Sequence, residues 1–206
     1  MTATGCSKPP AAAPTVAASQ LDSLLLTPAE ASTVLGATDL QVTVPLNHNA
    51  AGEVPIAPPA CLGAYEPAST IEGTGYLVVT SETLADATHI AESRHNVQQA
   101  VFNFSTAAQA ASFVQAQSQQ WQSCANKTLT YTGSNGKQEG WDSGPVEGAP
   151  PAIAMRLTER NTGGWTCQRA LRSASNVVID VNSCAYDTTT NRGNQVADAV
   201  AAKVPH

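Results

Sequence analysis

The segment Trp165-Thr-Cys167-Gln-Arg169-Ala-Leu171-Arg-Ser-Ala-Ser-Asn176-Val177-Val-Ile179-Asp180-Val181-Asn182-Ser-Cys184 decides the fold. Apolar and polar residues alternate along both arms, and β-branched residues crowd the second, as in two half-buried strands. Ser173-Ala-Ser-Asn176 supplies turn formers between them. A bend centred near residue 175 sets residue 167 opposite residue 184. Opposed residues of an antiparallel pair stand roughly 4.5–5.5 Å apart at Cα, within reach of a disulfide. The spacing therefore predicts a hairpin closed by Cys167–Cys184. It also sorts side chains by face: Val177, Ile179 and Val181 turn to a core, whereas Trp165, Cys167, Arg169 and Leu171 share the opposite face with Val178, Asp180, Asn182 and Cys184.

The other cysteines are Cys6, Cys61 and Cys124. With Cys6 set apart in a separate N-terminal tract, Cys61 pairs with Cys124 by elimination. That bridge closes a loop of about 60 residues and restricts the unfolded chain by on the order of 3–4 kcal/mol. Two bridges call for an oxidising compartment.

Outward from the hairpin, Ala152–Thr158 reads as a third strand of the same meander, and Lys127–Thr132 as another strand ahead of an Asn135-Gly136 turn. Leu40–Pro45, Gly75–Thr80 and Asn96–Phe104 read as strands, with the Gly/Pro/Ala-rich residues 46–74 mostly loop. Thr27-Pro28-Ala-Glu30 is a capping box opening a short helix that Gly36 closes. Ser105 caps a helix over about 106–124 that presents Ala107, Ala110, Ala111, Val114, Trp121 and Cys124 on one face. A last helix, about 191–203, presents Val196, Ala199 and Val200. The order of elements argues for an α+β single domain, an antiparallel β-sheet flanked by helices, with two disulfides.

Residues 1–19 read as a flexible Ala/Pro-rich tether and 20–206 as the domain. Within the tether, Thr2-Ala-Thr-Gly-Cys6 followed by Ser7-Lys-Pro-Pro-Ala-Ala-Ala-Pro14 resembles the processing site of a bacterial lipoprotein, in which the cysteine becomes the acylated N-terminus. Met1–Gly5 carry neither a basic region nor an apolar one. The expectation is a chain that starts just before its mature N-terminus, extracytoplasmic and held to the membrane by the lipid on Cys6. No apolar run approaches the roughly 18 residues of a membrane span. Ten basic residues against sixteen acidic ones give a formal net charge of −6, with no Lys/Arg cluster, which speaks against nucleic acid as a partner.

Catalytic patterns are absent from the residues. Asp142-Ser143-Gly144-Pro145 only superficially resembles a serine-protease stretch: Trp141 precedes it and no Ala-His-Cys setting accompanies it, so it reads as a plain turn. His89, Glu92 and His95 are spaced so that three side chains cannot share one helical face, and they read as solvated loop residues rather than metal ligands. The expectation is no enzyme, no metal and no cofactor. The second face of the hairpin carries the candidate site: Trp165, Arg169, Asp180 and Asn182 beside a disulfide. Arg169 and Asp180 form either a structural cross-strand ion pair or part of the polar floor of a ligand cleft.

Several stretches together resemble the mycobacterial PknH-type extracellular sensor domain and related stand-alone envelope lipoproteins. They are Leu24-Leu-Leu-Thr27 with Gly36, Cys61-Leu-Gly-Ala64, His95-Asn-Val97 leading to Ala100-Val-Phe-Asn-Phe104, Trp121-Gln-Ser-Cys124, Trp141, Cys167-Gln-Arg-Ala-Leu171 and Asn176–Val181 with Cys184. The resemblance spans about 20–204. It implies an antiparallel sheet with helices, disulfides in sequential order and a groove for an unidentified small-molecule or cell-wall-derived ligand. The chain carries no kinase domain, so a receptor role for the kinase does not transfer with it. The expected function is a non-catalytic envelope lipoprotein with a ligand-binding, sensor-like domain. The alternative is a protein-interaction lipoprotein that modulates an envelope receptor or enzyme, and an envelope hydrolase ranks last.

Overall fold

The computed structural model describes residues 14–52, 54–88, 92–186 and 191–205. Cys6 and His89 lie outside the described residues. Among the described residues, nine strands form one sheet: β1 (Gln41–Asn47), β2 (Ile56–Ala57), β3 (Val78–Ala85), β4 (His95–Asn103), β5 (Thr128–Thr132), β6 (Gln138–Ala149), β7 (Ala152–Glu159), β8 (Thr166–Ala174) and β9 (Val177–Ala185). Their order across the sheet is β1-β3-β4-β9-β8-β7-β6-β5-β2, and every neighbouring pair is antiparallel. Among the described residues, four α-helices accompany them: α1 (Pro28–Leu35), α2 (Leu62–Tyr65), α3 (Ala107–Cys124) and α4 (Arg192–Ala201).

The β8–β9 hairpin turns where expected. Cys167 faces Cys184 in register and Ser175 takes a positive φ of 51° at the bend. Both disulfides form as paired, Cys61–Cys124 and Cys167–Cys184. The capping box is also present: Glu30 N donates to Thr27 Oγ1, Glu30 Oε2 accepts from Thr27 N, and Gly36 ends α1 at φ 61°.

Each face of the sheet carries its own core. On one face, α1, α4 and the N-terminal segment cover Leu84, Val97, Val101, Val177, Ile179 and Val181. On the other, α2 and α3 cover Phe102, Met155, Leu157, Leu171 and Val178, with Trp121 and both disulfides. Three buried amides fasten the N-terminal segment to the first face. Gln99 donates to Leu26 O and accepts from Leu26 N, as a strand neighbour would. Asn103 and Asn176 both donate to Val16 O, and Asn176 accepts from Val16 N. The ordered body therefore reaches back to residue 14. Residues 14–19, expected as the end of a tether, are held in place, and Val16 is buried.

Two further differences have local causes. Thr106, not Ser105, caps α3 by accepting from Gln109 N. The helix buries Phe113 and Gln117 along with Ala110, Val114, Trp121 and Cys124, while Ala107 and Ala111 stay exposed. Residues 138–149, left without a strand, form the twelve-residue β6. The register of β6 slips between Ser143 and Val146, where a bulge absorbs Gly144-Pro145. Asp142-Ser143 thus belongs to a strand rather than a plain turn. The Ser143 hydroxyl donates to Cys124 O at 2.6 Å, lies 2.9 Å from Lys127 O, and accepts from Lys127 N.

Candidate functional site

At one end of the sheet, on the face that carries α2 and α3, the strand ends surround a cleft of about 550 Å³. Six adjacent strands line it with residues that share one face. They supply Asn96 and Gln98 from β4, Asn182 and Cys184 from β9, Cys167 from β8, Leu157 and Glu159 from β7, Glu139 and Trp141 from β6, and Tyr131 from β5. Trp165 and Tyr186 flank the β8–β9 ends, and the Cys167–Cys184 bridge lies in the floor. Tyr65 and Glu66, at the end of α2, supply a further wall, and Val54, Lys137 and Thr162 complete the lining.

Aromatic rings form two walls. Tyr65 stacks on Tyr131 with centroids 6.1 Å apart and meets Trp141 edge-on at 5.7 Å. Trp165 and Tyr186 sit 4.8 Å apart. A side-chain chain runs along the floor: Asn182 Nδ2 donates to Gln98 Oε1, and Gln98 Nε2 donates to Glu66 Oε1, each at 3.2 Å. Asn182 Oδ1 and Trp141 Nε1 are buried without a hydrogen-bond partner. Burial pushes the Glu66 carboxyl up to about 7; the nearby Asp180 adds to the rise, while Arg169 and the Gln98 amide oppose it. Glu159 is raised by burial and then by Glu139. The Tyr65 hydroxyl is raised by burial and by the surrounding carboxylates Glu66, Glu139 and Glu159.

The four residues expected at the site divide into two pairs. Trp165 and Asn182 line the cleft. Arg169 and Asp180 do not; they lie beneath its α2 wall. Arg169 is fully buried and donates to Asp180 Oδ1 at 2.6 Å, Val181 O at 2.7 Å and Gly63 O at 3.1 Å, with its guanidinium 5.3 Å from the Trp121 ring centroid. Asp180 Oδ2 accepts from Ala68 N at 2.9 Å. Burial pushes the Asp180 carboxyl up, while Arg169 and the Ala68 N–H pull it back. The pair therefore fastens residues 63–68 to the sheet and positions Tyr65 and Glu66. Gly63 permits the close seat of α2, because a Cβ there would lie 2.7 Å from Gln117 Oε1 and 2.9 Å from Thr70 Oγ1.

His95 stands apart from the cleft lining, with Nδ1 2.9 Å from Asp86 Oδ2, where it helps tie the start of β4 to the end of β3. Tyr65, Glu66, Tyr131, Trp141, Glu139 and Glu159 were missed by sequence reasoning. For Glu159 a signal existed, since it follows Leu157 at strand parity. The residues from β6 became visible only once that strand was known.

Among the described residues, no helix is long and apolar enough to cross a membrane. The sequence profile of the PknH-like extracellular domain matches residues 16–203. The serine/threonine-protein kinases PknH of Mycobacterium bovis and of Mycobacterium tuberculosis H37Rv are each 36% identical over 191 residues. That match takes in 92% of this chain but only 31% and 30% of the two kinases, so the chain spans less than a third of their length. The crystal structure of the extracellular domain of PknH from Mycobacterium tuberculosis superposes with a TM-score of 0.85 at 34% identity, covering 91% of this chain and 96% of that one. A member of an extracellular domain family fits an extracytoplasmic location, as do two disulfides. With the profile matched over residues 16–203 and the fold shared over 91% of its length, the chain belongs to the PknH-like extracellular domain family.

Proposed function

We propose that the domain is a non-catalytic binding module of the cell envelope that holds a small or cell-wall-derived ligand in the cleft. The supporting observation is the cleft itself: about 550 Å³, walled by paired aromatic rings and floored by amides and a carboxyl whose polar atoms are incompletely paired. Pockets that bind small molecules combine apolar walls with a few placed polar groups in this way. In this reading Cys6 is the acylation site that keeps the domain at the membrane, and Trp165 and Asn182 contact the ligand directly. Arg169 and Asp180 act through the wall they hold.

Thermal-shift screening against envelope glycan fragments, lipids and metabolites tests the reading. A ligand should raise the melting temperature of the wild type and fail to raise that of Trp165→Ala. If no compound shifts the wild type, or if hits shift both proteins equally, the cleft is not the binding site. A second reading, contact with an envelope protein, draws on edge strand β1, where Val42, Val44 and Leu46 are exposed. Val44→Lys would weaken such a contact and leave ligand-induced shifts intact.

A further inference from the structure

We propose that the cleft selects organic cations, ligands that carry a protonated amine beside a flat or apolar body, over neutral or anionic molecules of the same shape. This rests on the cleft being a binding site.

The charge balance of the lining carries the inference. Among the described residues, Glu66, Glu139 and Glu159 face the cleft, against one lining base, Lys137. Lys137 is 70% exposed at the rim and lies 3.4 Å from Glu139. Among the described residues, no ion pair engages Glu66 or Glu159. Arg169, the guanidinium behind the wall, is committed to Asp180 and to the carbonyls of Val181 and Gly63. An anionic ligand would enter a half-enclosed space already holding like charges, and a cation would relieve them.

The aromatic walls act in the same direction. Tyr65, Tyr131 and Trp141 on one side and Trp165 with Tyr186 on the other make the lining rich in aromatic rings, the side chains that attract a cation seated against them. An independent observation lies in the floor. Asn182 is only 9% exposed, and its Oδ1 is an acceptor with no donor. An ammonium group supplies N–H donors. The indole N–H of Trp141 is likewise buried and unpaired.

Glu66 makes the selection dependent on pH. The groups that face it are Gln98 from β4, Arg169 from β8 and Asp180 from β9, with Glu139, Glu159 and Lys137 across the cleft. Its carboxyl titrates at about 7, so the carboxylate forms as pH rises through neutrality. An alkylammonium stays protonated throughout that range. Affinity for an amine should therefore climb from about pH 6 to about pH 8.

The test uses three molecules of one shape: 2-phenylethylammonium, 2-phenylethanol and 3-phenylpropanoate. Binding is followed by the indole N–H resonances of Trp141 and Trp165 in the wild type, Glu66→Gln and Glu159→Gln. Near pH 8 the ammonium should bind at least roughly tenfold more tightly than the alcohol, with the carboxylate weakest. Its affinity should fall several-fold near pH 6, and Glu66→Gln should abolish that pH dependence while Glu159→Gln weakens binding at both values. If the alcohol binds as well as the ammonium, charge selection is refuted and the cleft remains a binding site. If none of the three moves either indole resonance, both the selection and the cleft reading fall.

Discussion

The two faces of the sheet use the same residue types to opposite ends. On the face covered by α1 and α4, the long buried amides bond to backbone: Gln99 to Leu26, Asn103 and Asn176 to Val16, with both ends of Gln99 satisfied. On the other face, Asn182, Gln98 and Glu66 bond to each other in a row, and the row ends in an unpaired oxygen. Amides tied to backbone fix one conformation, because the backbone cannot turn away. Side chains tied only to side chains can change partner at little cost. The first arrangement suits a seal and the second a surface that exchanges one partner for another.

Breaking the wall of the cleft face should have the largest effect. Arg169→Ala leaves Asp180 buried without its cation and removes the bond to Gly63, so stability should fall by roughly 3–5 kcal/mol in urea denaturation. Amide exchange at Ala68, which donates to Asp180, should accelerate in the same variant. A smaller loss is expected on the sealed face. In Gly193→Ala the new Cβ would stand 2.4 Å from Gln168 O, forcing α4 off the sheet at a cost of roughly 1–3 kcal/mol. Cleft resonances should not move, and a shift at Trp165 would show that the faces are coupled.

The smallest effect should have the opposite sign. The Glu66 carboxyl is raised from an ordinary 4.5 to about 7 in the folded protein, so the folded state holds that proton more tightly than the unfolded chain. Stability from this group therefore falls as pH rises between those values, and the full cost stands above neutrality. Glu66→Gln removes the cost. It should be more stable than the wild type by on the order of 1–2 kcal/mol near pH 8 and equal to it near pH 4. Destabilisation near pH 8 would mean that the carboxylate is a structural partner rather than a vacant one.

Much of this contrast was legible in the residues. The β8–β9 hairpin carried its own register, and with it both bridges and the division of Val177–Cys184 between two faces. β6 was not legible, because Gly140, Gly144, Pro145 and Gly148 give it the composition of a turn. It becomes a strand because β5 and β7 offer ladders on both sides, and the bulge takes up the proline. Residues 14–19 looked like linker for a similar reason: their order comes from amides 87 or more positions away along the chain, at 103 and 176. The candidate site was half visible. Trp165 and Asn182 followed from strand parity, and of the two roles open to Arg169 and Asp180 they take the ion pair, whose hold on Tyr65 and Glu66 parity alone does not reveal.

The N-terminal strap has a consequence for orientation. Ser175 Oγ donates to Pro14 O at 2.6 Å, so the chain enters the domain at the β8–β9 bend. The cleft sits at the other end of those strands, roughly 20–25 Å away at the rise of an extended strand. A pull applied upstream of residue 14 is taken up at the bend, on the sealed face, and bypasses the cleft. An attachment made upstream of residue 14 would hold the domain by this bend and leave the cleft at the far end of the same strands.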